Sequence, residues 1–388
     1  MASLTLPAGL SVHLLGEEGL LLDSPHQRLY ALNASAAFIW QGLSGGRTPA
    51  EIGRLFGEHF AVPRDLAAAY VANVLDQYEG LRTTRIAPAE SRGSRHARRP
   101  AVQPGQVARI ETCALLGNVF RINYGSAQLA ERIQPLLYFG CPTVRTSEGA
   151  LTEVAVLAAE SGIVVVADGE LIGACDSLEA AAVAVRACLI QLAVRPSGGL
   201  CALHAGAVRR NGAALLLPGD AGRGKSTLSA GLAARGFEML CDDTTLLAGE
   251  PLRARCLPVG LCVKRGAYPV LAPDYPRLAS LPEWQRPDGQ RARYLVPGED
   301  LAWAQPDASA PVRWIVFPNY APDSRTSLKP LSRHEALSRL IHGVYFLSGT
   351  LDRRNLDTLV GWIEGIDCFD LPLSSLDVAA VLLGDLCR

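Results

Sequence analysis

The stretch that decides the fold reads Ala-Ala-Leu-Leu-Leu-Pro-Gly-Asp-Ala-Gly-Arg-Gly-Lys-Ser, from Ala213 to Ser226. It contains the pattern G-x-x-x-x-G-K-S between a strand-like apolar run ending at Leu217 and a helix-like run from Ser226 to Arg235. Glycines let the backbone curl so that successive N–H groups face a phosphate, and the helix N-terminus adds partial positive charge. The lysine reaches the outer phosphates, and the serine hydroxyl can ligate Mg²⁺. The pattern therefore predicts a nucleoside triphosphate site; the alternative is a glycine-rich turn with a surface lysine.

The predicted nucleotide-binding residues form one continuous segment. They are Gly219, Asp220, Ala221, Gly222, Arg223, Gly224, Lys225, Ser226 and Thr227. The chain has three lysines against 34 arginines, and one of the three is Lys225. A lysine at this position of a lysine-poor chain indicates that the loop requires a compact ammonium group, which a planar guanidinium does not imitate.

Bulk composition predicts a globular, cytoplasmic protein. With 388 residues, of which 49% are hydrophobic and 19% charged, two or three domains are expected. The net charge of −1 gives no general attraction for nucleic acid or anionic membranes. The ten cysteines include no C-x-x-C pair, so reduced thiols are favoured over zinc or a disulfide framework. There is no basic segment typical of a signal peptide and no uninterrupted apolar span, so we expect no membrane insertion.

The first 86 residues predict a small winged-helix-like module. Its predicted elements are strands at Leu20–Asp23 and Arg28–Leu32, a helix through Ala36–Leu43, a helix opened by the capping box Thr48–Glu51, and a helix from Asp65 to Glu79 stopped by Gly80. To residue 85 there are six arginines, no lysine and eight acidic residues, a balance of −2. This balance disfavours DNA, because phosphate neutralisation needs the opposite sign. Residues 87–108, rich in arginine and proline, are predicted to be an interdomain linker; the alternative is a weak electrostatic contact with an acidic partner.

The remainder predicts an α/β domain over 109–388, with a subdomain at 109–200 and the glycine-rich core from 201 onward. Asp168-Gly169 and Asn211-Gly212 each separate two apolar runs by two residues, which predicts two β-hairpins. The second hairpin makes the strand before the glycine pattern antiparallel to its predecessor, so a mixed sheet is expected. Further predicted elements are a helix from Asp176 to Ala193, strands at Phe237–Cys241 and Trp314–Pro318, and helices near 332–345 and 355–364.

Asp242 and Asp243 follow the strand after the loop helix, at the sheet edge where ligands gather in such folds. Phosphoryl transfer uses Mg²⁺ to bridge phosphate oxygens and a carboxylate to orient or deprotonate the acceptor hydroxyl. We assign Asp242 as general base, and Asp243 with Ser226 to the metal. The reverse order of the two aspartates stays open, and so does an exposed Asp-Asp turn without a role.

Two further residues are catalytic candidates. His204 begins the strand paired with the loop strand and is expected to orient an aspartate or touch phosphate; a core histidine is the alternative. Lys264, followed by Arg265, ends an apolar run and is expected to neutralise charge on the transferred group, with solvated strand-end charges as the alternative. Weaker candidates are Arg291, Arg293 and Lys329.

The segment Leu203–Asp243 resembles the HPr kinase family, with His204 in Leu-His-Ala-Gly-Ala-Val before the glycine pattern and Asp-Asp on the next strand. The resemblance implies a fold similar to that of phosphoenolpyruvate carboxykinase, active-site roles for His204, Lys225 and Asp242, and Mg²⁺ on the loop serine. The glutamate-containing signature of bacterial HPr kinases is replaced here by Leu257–Lys264, and the later signature tied to phosphate removal is not recognisable. The chain thus looks like an HPr-kinase-related serine kinase of peptide-modification gene clusters.

Residues 12–84 resemble the PqqD family. The runs that carry the resemblance are Gly19–Asp23, Tyr30–Trp40 and Gly46–Ile52. Members of that family bind the leader segment of a ribosomally made precursor peptide by adding it as a strand beside the sheet edge and a helix. The resemblance therefore implies a leader-recognition domain.

Together the two resemblances imply an ATP- and Mg²⁺-dependent kinase acting on a serine of a precursor peptide, with lasso peptides as the closest example. The leader would bind the first domain and raise the concentration of the core near the kinase site. Other maturation enzymes are further candidate partners, and the oligomeric state stays open. One alternative is a nucleotide-responsive peptide-binding or chaperone protein, which predicts ATP-dependent peptide binding without phosphopeptide. Another is a small-molecule kinase with a partner-recruiting first domain, which predicts that residues 100–388 alone keep full activity.

Overall fold

The computed structural model describes residues 9–83, 107–137, 151–160, 162–286, 288–346 and 351–388. Contacts divide these residues into two compact units. The amino-terminal unit comprises 9–83, 332–342 and 351–365; the second unit comprises the described part of 107–331 with 343–346 and 366–388. The predicted linker at 87–108 falls almost entirely outside the described residues.

The helices in the described part of the chain are α1 (Ala34–Ser44), α2 (Pro49–Phe60), α3 (Arg64–Thr83), α4 (Ala127–Ile133), α5 (Leu178–Val194), α6 (Lys225–Ala233), α7 (Tyr268–Leu271), α8 (Arg333–Ile341), α9 (Arg353–Ile363) and α10 (Leu376–Leu386). None of these described helices is both long and apolar enough to cross a bilayer.

The strands are β1 (Leu10–Leu15), β2 (Glu18–Asp23), β3 (Arg28–Leu32), β4 (Arg109–Leu115), β5 (Asn118–Tyr124), β6 (Leu151–Ala159), β7 (Gly162–Ala167), β8 (Glu170–Cys175), β9 (Cys201–Leu203), β10 (Ala205–Arg210), β11 (Ala213–Pro218), β12 (Glu238–Cys241), β13 (Thr245–Ala248), β14 (Arg253–Arg255), β15 (Leu261–Lys264), β16 (Trp284–Gln285), β17 (Arg291–Leu295), β18 (Ser309–Tyr320), β19 (Lys329–Pro330), β20 (Val344–Phe346) and β21 (Asp367–Leu373). The predicted mixed α/β class is confirmed.

The amino-terminal unit is built on an antiparallel sheet in the order β1-β2-β3. Strands β2 and β3 and helices α1, α2 and α3 were expected, whereas β1 was missed. The capping box at the start of α2 is present, since Thr48 N–H donates to Glu51 Oε2 (2.8 Å) and Glu51 N–H donates to Thr48 Oγ1 (3.3 Å). The predicted stop at Gly80 is wrong: α3 continues to Thr83. One glycine weakens a helix by about 1 kcal/mol but does not end it.

The two faces of this sheet are covered by different parts of the chain. Leu21 packs in one cluster with residues of α1–α3, including Ile39 and Phe56. Successive strand residues point to opposite faces, so Leu20 and Leu22, both fully buried, face away from that cluster. Helix α8 contacts β2 and helix α9 contacts β1. The sequence placed both helices in the 109–388 domain, whereas the contacts assign them to the amino-terminal unit.

Polar contacts accompany the packing of α8 and α9. His13 Nδ1–H donates to Asp357 Oδ1 (2.6 Å), and His13 Nε2 accepts from the Ser11 hydroxyl (2.7 Å). His334 Nε2 lies 2.9 Å from Gly19 O. His13 and Ser11 are buried, so these bonds satisfy polar groups that burial would otherwise leave without partners.

The second unit contains the strand of the glycine pattern within a ten-stranded mixed sheet. Its main order is β12-β10-β11-β18-β14-β13-β9-β20, with β21 beside β18 and β19 beside β21. The hairpin β10–β11 is antiparallel, as predicted, and Asn211 and Gly212 have φ of 51° and 77° in its turn. Strand β11 is parallel to β18, and β18 is parallel to β21, so these three strands end at one edge.

The described part of this unit also contains two smaller sheets, in the orders β4-β5-β6-β7-β8 and β15-β17-β16. The predicted hairpin at Asp168-Gly169 joins β7 to β8. Helix α5 begins after Ser177, whose side chain accepts from the Ala180 N–H. This matches the predicted helix from Asp176 to Ala193 within two residues.

Candidate functional site

The glycine loop, defined here as residues 219–224, joins the end of β11 to the start of α6. Gly219, Gly222 and Gly224 have φ of 145°, 86° and 95°, conformations that favour glycine strongly. The Lys225 side chain extends from the first residue of α6. The predicted strand–loop–helix arrangement is therefore confirmed, while nucleotide binding stays a prediction.

Lys225 is the centre of the contacts around the loop. Its ammonium donates to the carbonyl oxygens of Gly219 and Asp220, the latter at 3.1 Å. It also lies 3.1 Å from His204 Nε2 and 3.6 Å from Asp243 Oδ1. The side chain is buried; burial lowers the pKa of Lys225, and the nearby carboxylates, Asp243 foremost, oppose that shift.

His204 lies between β9 and β10 and touches both Lys225 and Asp243. Its Nδ1 is 3.1 Å from the backbone oxygen of Asp243, so Nδ1 carries the proton in that hydrogen bond. Nε2 is then the acceptor for the Lys225 ammonium. The backbone N–H of His204 donates to Gly343 O (2.9 Å). The sequence predicted contact with an aspartate or phosphate, and the structure brings the ring to Asp243.

Asp242 is buried and bonded on both carboxylate oxygens. Oδ1 accepts from the Ser226 hydroxyl (2.9 Å), and Oδ2 accepts from the Cys262 N–H (2.9 Å). Burial, reinforced by the neighbouring charge of Asp243, raises the pKa of Asp242 to about 6. The carboxylate thus faces the start of α6 and is held rigidly there.

Asp243 contrasts with its neighbour in exposure and conformation. Strand β12 ends at Cys241, and Asp243 adopts φ of 63°, in the left-handed region that few non-glycine residues adopt. Its side chain is 45% exposed, with Oδ1 3.6 Å from Lys225 Nζ and 3.7 Å from His204 Nε2. The two carboxylates therefore lie in different surroundings: that of Asp242 is buried in the protein, whereas that of Asp243 is partly open to solvent.

The other predicted cations do not join this cluster. Lys264 Nζ is 3.9 Å from Asp288 Oδ2, and Arg265 pairs with Glu283. Arg291 pairs with Glu179 and Glu283. Arg293 donates to Leu278 O, and Lys329 lies on β19. No hydrogen bond or ion pair in the described residues joins Lys264 to the glycine loop, so its catalytic role stays a prediction.

Three residues near the site were missed by the sequence analysis. Asn319 Oδ1 accepts from Arg223 Nη1 (2.8 Å), and the Tyr320 N–H donates to Arg223 O (3.2 Å). Arg186 Nη2, from α5, donates to Gly260 O (2.8 Å), two residues before the N–H that binds Asp242. The predicted strand at Trp314–Pro318 leads directly to Asn319 and Tyr320. Its pairing with β11, which brings them to the loop, cannot be inferred from local sequence.

The oxygen donors at the start of α6 suit a hard cation such as Mg²⁺. They are the Ser226 hydroxyl and the two aspartate carboxylates, whereas histidine or thiolate ligands would favour softer metals. In the described residues, no group of three or more His, Cys, Asp or Glu side chains is placed to hold a metal by itself. Phosphate oxygens and waters would therefore have to supply the remaining ligands, as is usual for Mg²⁺.

Comparison with known proteins identifies one segment. Residues 18–82 match the family model described as Coenzyme PQQ synthesis protein D (PqqD), and they form a PqqD domain. No curated protein matches the chain. The resemblance of the segment Leu203–Asp243 to HPr kinases stays a prediction.

Proposed function

We propose that the protein is an ATP-dependent kinase that phosphorylates a serine hydroxyl of a ribosomally made precursor peptide held through its leader by the PqqD domain. The observation that carries the proposal is the cluster at the glycine loop: Lys225, His204 and Asp243 on one side, and Ser226 with Asp242 on the other. A glycine turn without function does not require a buried ammonium 3.1 Å from an imidazole and 3.6 Å from one carboxylate, beside a serine hydroxyl that donates to a second carboxylate.

The PqqD domain supports the peptide half of the proposal. Among the described residues, strand β3 is an edge of its sheet, and an edge presents backbone groups to which an extended peptide can add. The other edge strand, β1, contacts α9. Helix α3 exposes Leu66 and Tyr70, 51% and 52% accessible, which offers apolar surface for peptide side chains. The segment's negative balance disfavours DNA as the alternative ligand.

The glycine loop supports the nucleotide half. Backbone amides at the start of α6 and the Lys225 ammonium would hold the triphosphate tail, and the Ser226 hydroxyl would ligate Mg²⁺. When bound, Mg²⁺ neutralises charge on the phosphate oxygens. Asp242 accepts a 2.9 Å hydrogen bond from the Ser226 hydroxyl and so orients it. The proposed role of Asp242 is therefore to position this Mg²⁺ ligand.

The exposed carboxylate of Asp243 is the better general base. The sequence assigned that role to Asp242, with the reverse order left open; burial and bonding of both Asp242 oxygens favour the reverse order. In the transfer, the serine oxygen bonds to the γ-phosphorus, the bond from that phosphorus to the β–γ bridging oxygen breaks, and ADP leaves. The serine proton passes to Asp243, whose backbone oxygen accepts from His204 Nδ1–H and whose carboxylate lies 3.6 Å from the Lys225 ammonium.

Mass spectrometry of candidate precursor peptides incubated with the full chain, ATP and Mg²⁺ tests the proposal. We expect one phosphoryl group on a serine of a leader-containing peptide, and much slower transfer to the same core without its leader, because tethering raises effective concentration. ATP-dependent peptide binding without phosphopeptide would support the chaperone alternative instead. Equal rates with and without leader would remove the role of the PqqD domain.

A further inference from the structure

The carboxyl end of β18 lies beside the glycine loop. Strands β11 and β18 are parallel neighbours, so the loop that follows Pro218 and the residues that end β18, Asn319 and Tyr320, occupy the same edge of the sheet. In sheets with helices on their faces, ligands bind outside the carboxyl ends of such strands. Contacts with the base or ribose of a bound nucleotide are therefore expected at this edge.

Two hydrogen bonds hold the end of β18 against the loop. The Tyr320 N–H donates to Arg223 O (3.2 Å), and the Arg223 guanidinium donates to Asn319 Oδ1 (2.8 Å). A β-carbon placed on Gly224 would lie 3.5 Å from the Tyr320 Cβ, so the Tyr320 side chain begins next to the space that this glycine leaves free. The backbone position of Tyr320 is therefore tied to the loop itself.

The side chain of Tyr320 is nevertheless exposed. It is 52% accessible, whereas residues 314–318 of the same strand are buried. An aromatic ring that starts from a backbone bonded to the glycine loop and is open to solvent offers a flat apolar face. Bases stack on such faces, and removing the aromatic partner costs about 1–3 kcal/mol per base in nucleic-acid complexes.

We infer that Tyr320 is the base-recognition residue of the nucleotide site, stacking its ring on the purine of a nucleoside triphosphate. The inference rests on the proposed function, because it presumes that the glycine loop holds the triphosphate tail. It adds a ligand contact that neither the glycine pattern nor the aspartate pair contains. Tyr320 affects affinity for the base and leaves the phosphate contacts unchanged.

Calorimetric titration of the full chain with Mg²⁺ and either ATP or inorganic tripolyphosphate tests the inference, since tripolyphosphate has the phosphates and lacks the base. Tyr320→Ala is expected to weaken ATP binding between about fivefold and about a hundredfold while leaving tripolyphosphate binding unchanged. Tyr320→Phe keeps the ring and is expected to bind ATP as the wild type does. Val381→Ala, at an exposed position of α10, is the matched control.

Unchanged ATP affinity in Tyr320→Ala would overturn the inference and leave the proposed function standing. Equal weakening of ATP and tripolyphosphate would also overturn it, because the substitution would then act on the loop and not on the base. A wild-type chain that binds neither ligand would contradict the proposed function itself. Circular dichroism of each variant shows that the fold is retained.

Discussion

The glycine-loop cluster and the amino-terminal sheet differ in the sequence separation between the residues that build them. The cluster draws its five side chains from residues 204–243, and each stands beside a turn or strand end recognisable from a few neighbouring residues. The sheet of the amino-terminal unit is instead covered on its second face by α8 and α9, and the bond between His13 and Asp357 spans 344 positions. Local patterns therefore reveal the candidate site, whereas completing the domain depends on contacts that no local pattern indicates.

Removing the exposed carboxylate should have the largest effect. Asp243→Asn is expected to lower phosphoryl transfer by about 10²–10⁴-fold with little change in ATP affinity, because a general base acts on the transfer step and not on binding. Single-turnover assays with saturating ATP measure that step. Asp242→Asn, the matched variant, is expected to raise the Mg²⁺ concentration needed for activity. Two results together would restore Asp242 as the general base. They are an active Asp243→Asn variant and an Asp242→Asn variant that binds Mg·ATP normally but transfers no phosphoryl group.

Truncating the buried face of α9 should destabilise the amino-terminal unit. Leu359→Ala is expected to cost about 2–5 kcal/mol of unfolding free energy, since Leu359 is 1% exposed and its loss leaves a cavity. Chemical denaturation combined with hydrogen exchange in β1 and β2 measures the effect where it should appear. Leu66→Ala, at an exposed position of α3, should change stability by less than about 0.5 kcal/mol. Unaltered exchange in β1 and β2 of the Leu359 variant would show that α9 does not support this sheet.

The capping box gives a local test within the same unit. Thr48→Ala removes the acceptor for the Glu51 N–H and is expected to cost about 1 kcal/mol. Ser35→Ala, adjacent to the Asn33 cap of α1, retains that cap's bond to the Ala36 N–H and serves as control. Denaturation midpoints compare the two. Equal stabilities would mean that tertiary packing alone defines the start of α2.

Acid should destabilise the amino-terminal unit through the buried His13. Burial lowers the pKa of His13 below its ordinary value of 6.5, an effect that the partner Asp357 partly opposes. The unfolded chain therefore binds a proton more readily, so the stability contribution is complete above about pH 6.5 and declines as the pH falls below it. Denaturation at several pH values should show a smaller decline in His13→Gln than in the wild type. Identical pH profiles would exclude His13 as the titrating group.

The sequence was informative where a few adjacent residues determine the backbone. Each of these features involves only a few consecutive residues and lies where it was predicted: the Asn211-Gly212 turn, the three loop glycines and the Thr48–Glu51 capping box. Strand β1 was missed because Ser11 and His13, polar residues that suggest solvent, face inward and are paired with each other and with Asp357. Tyr320 was missed because its approach to the loop follows from pairing between β11 and β18, about a hundred positions apart. The different exposure of Asp242 and Asp243 depends on where β12 ends, which alternation alone does not fix.

Calorimetric titration of Mg·ATP into the wild-type chain and into Lys225→Ala tests the central claim most directly. We expect saturable binding at a single site in the wild type and its loss in the variant, because Lys225 is proposed to hold the outer phosphates at the glycine loop. No binding by the wild type, or the same affinity in Lys225→Ala, would contradict it.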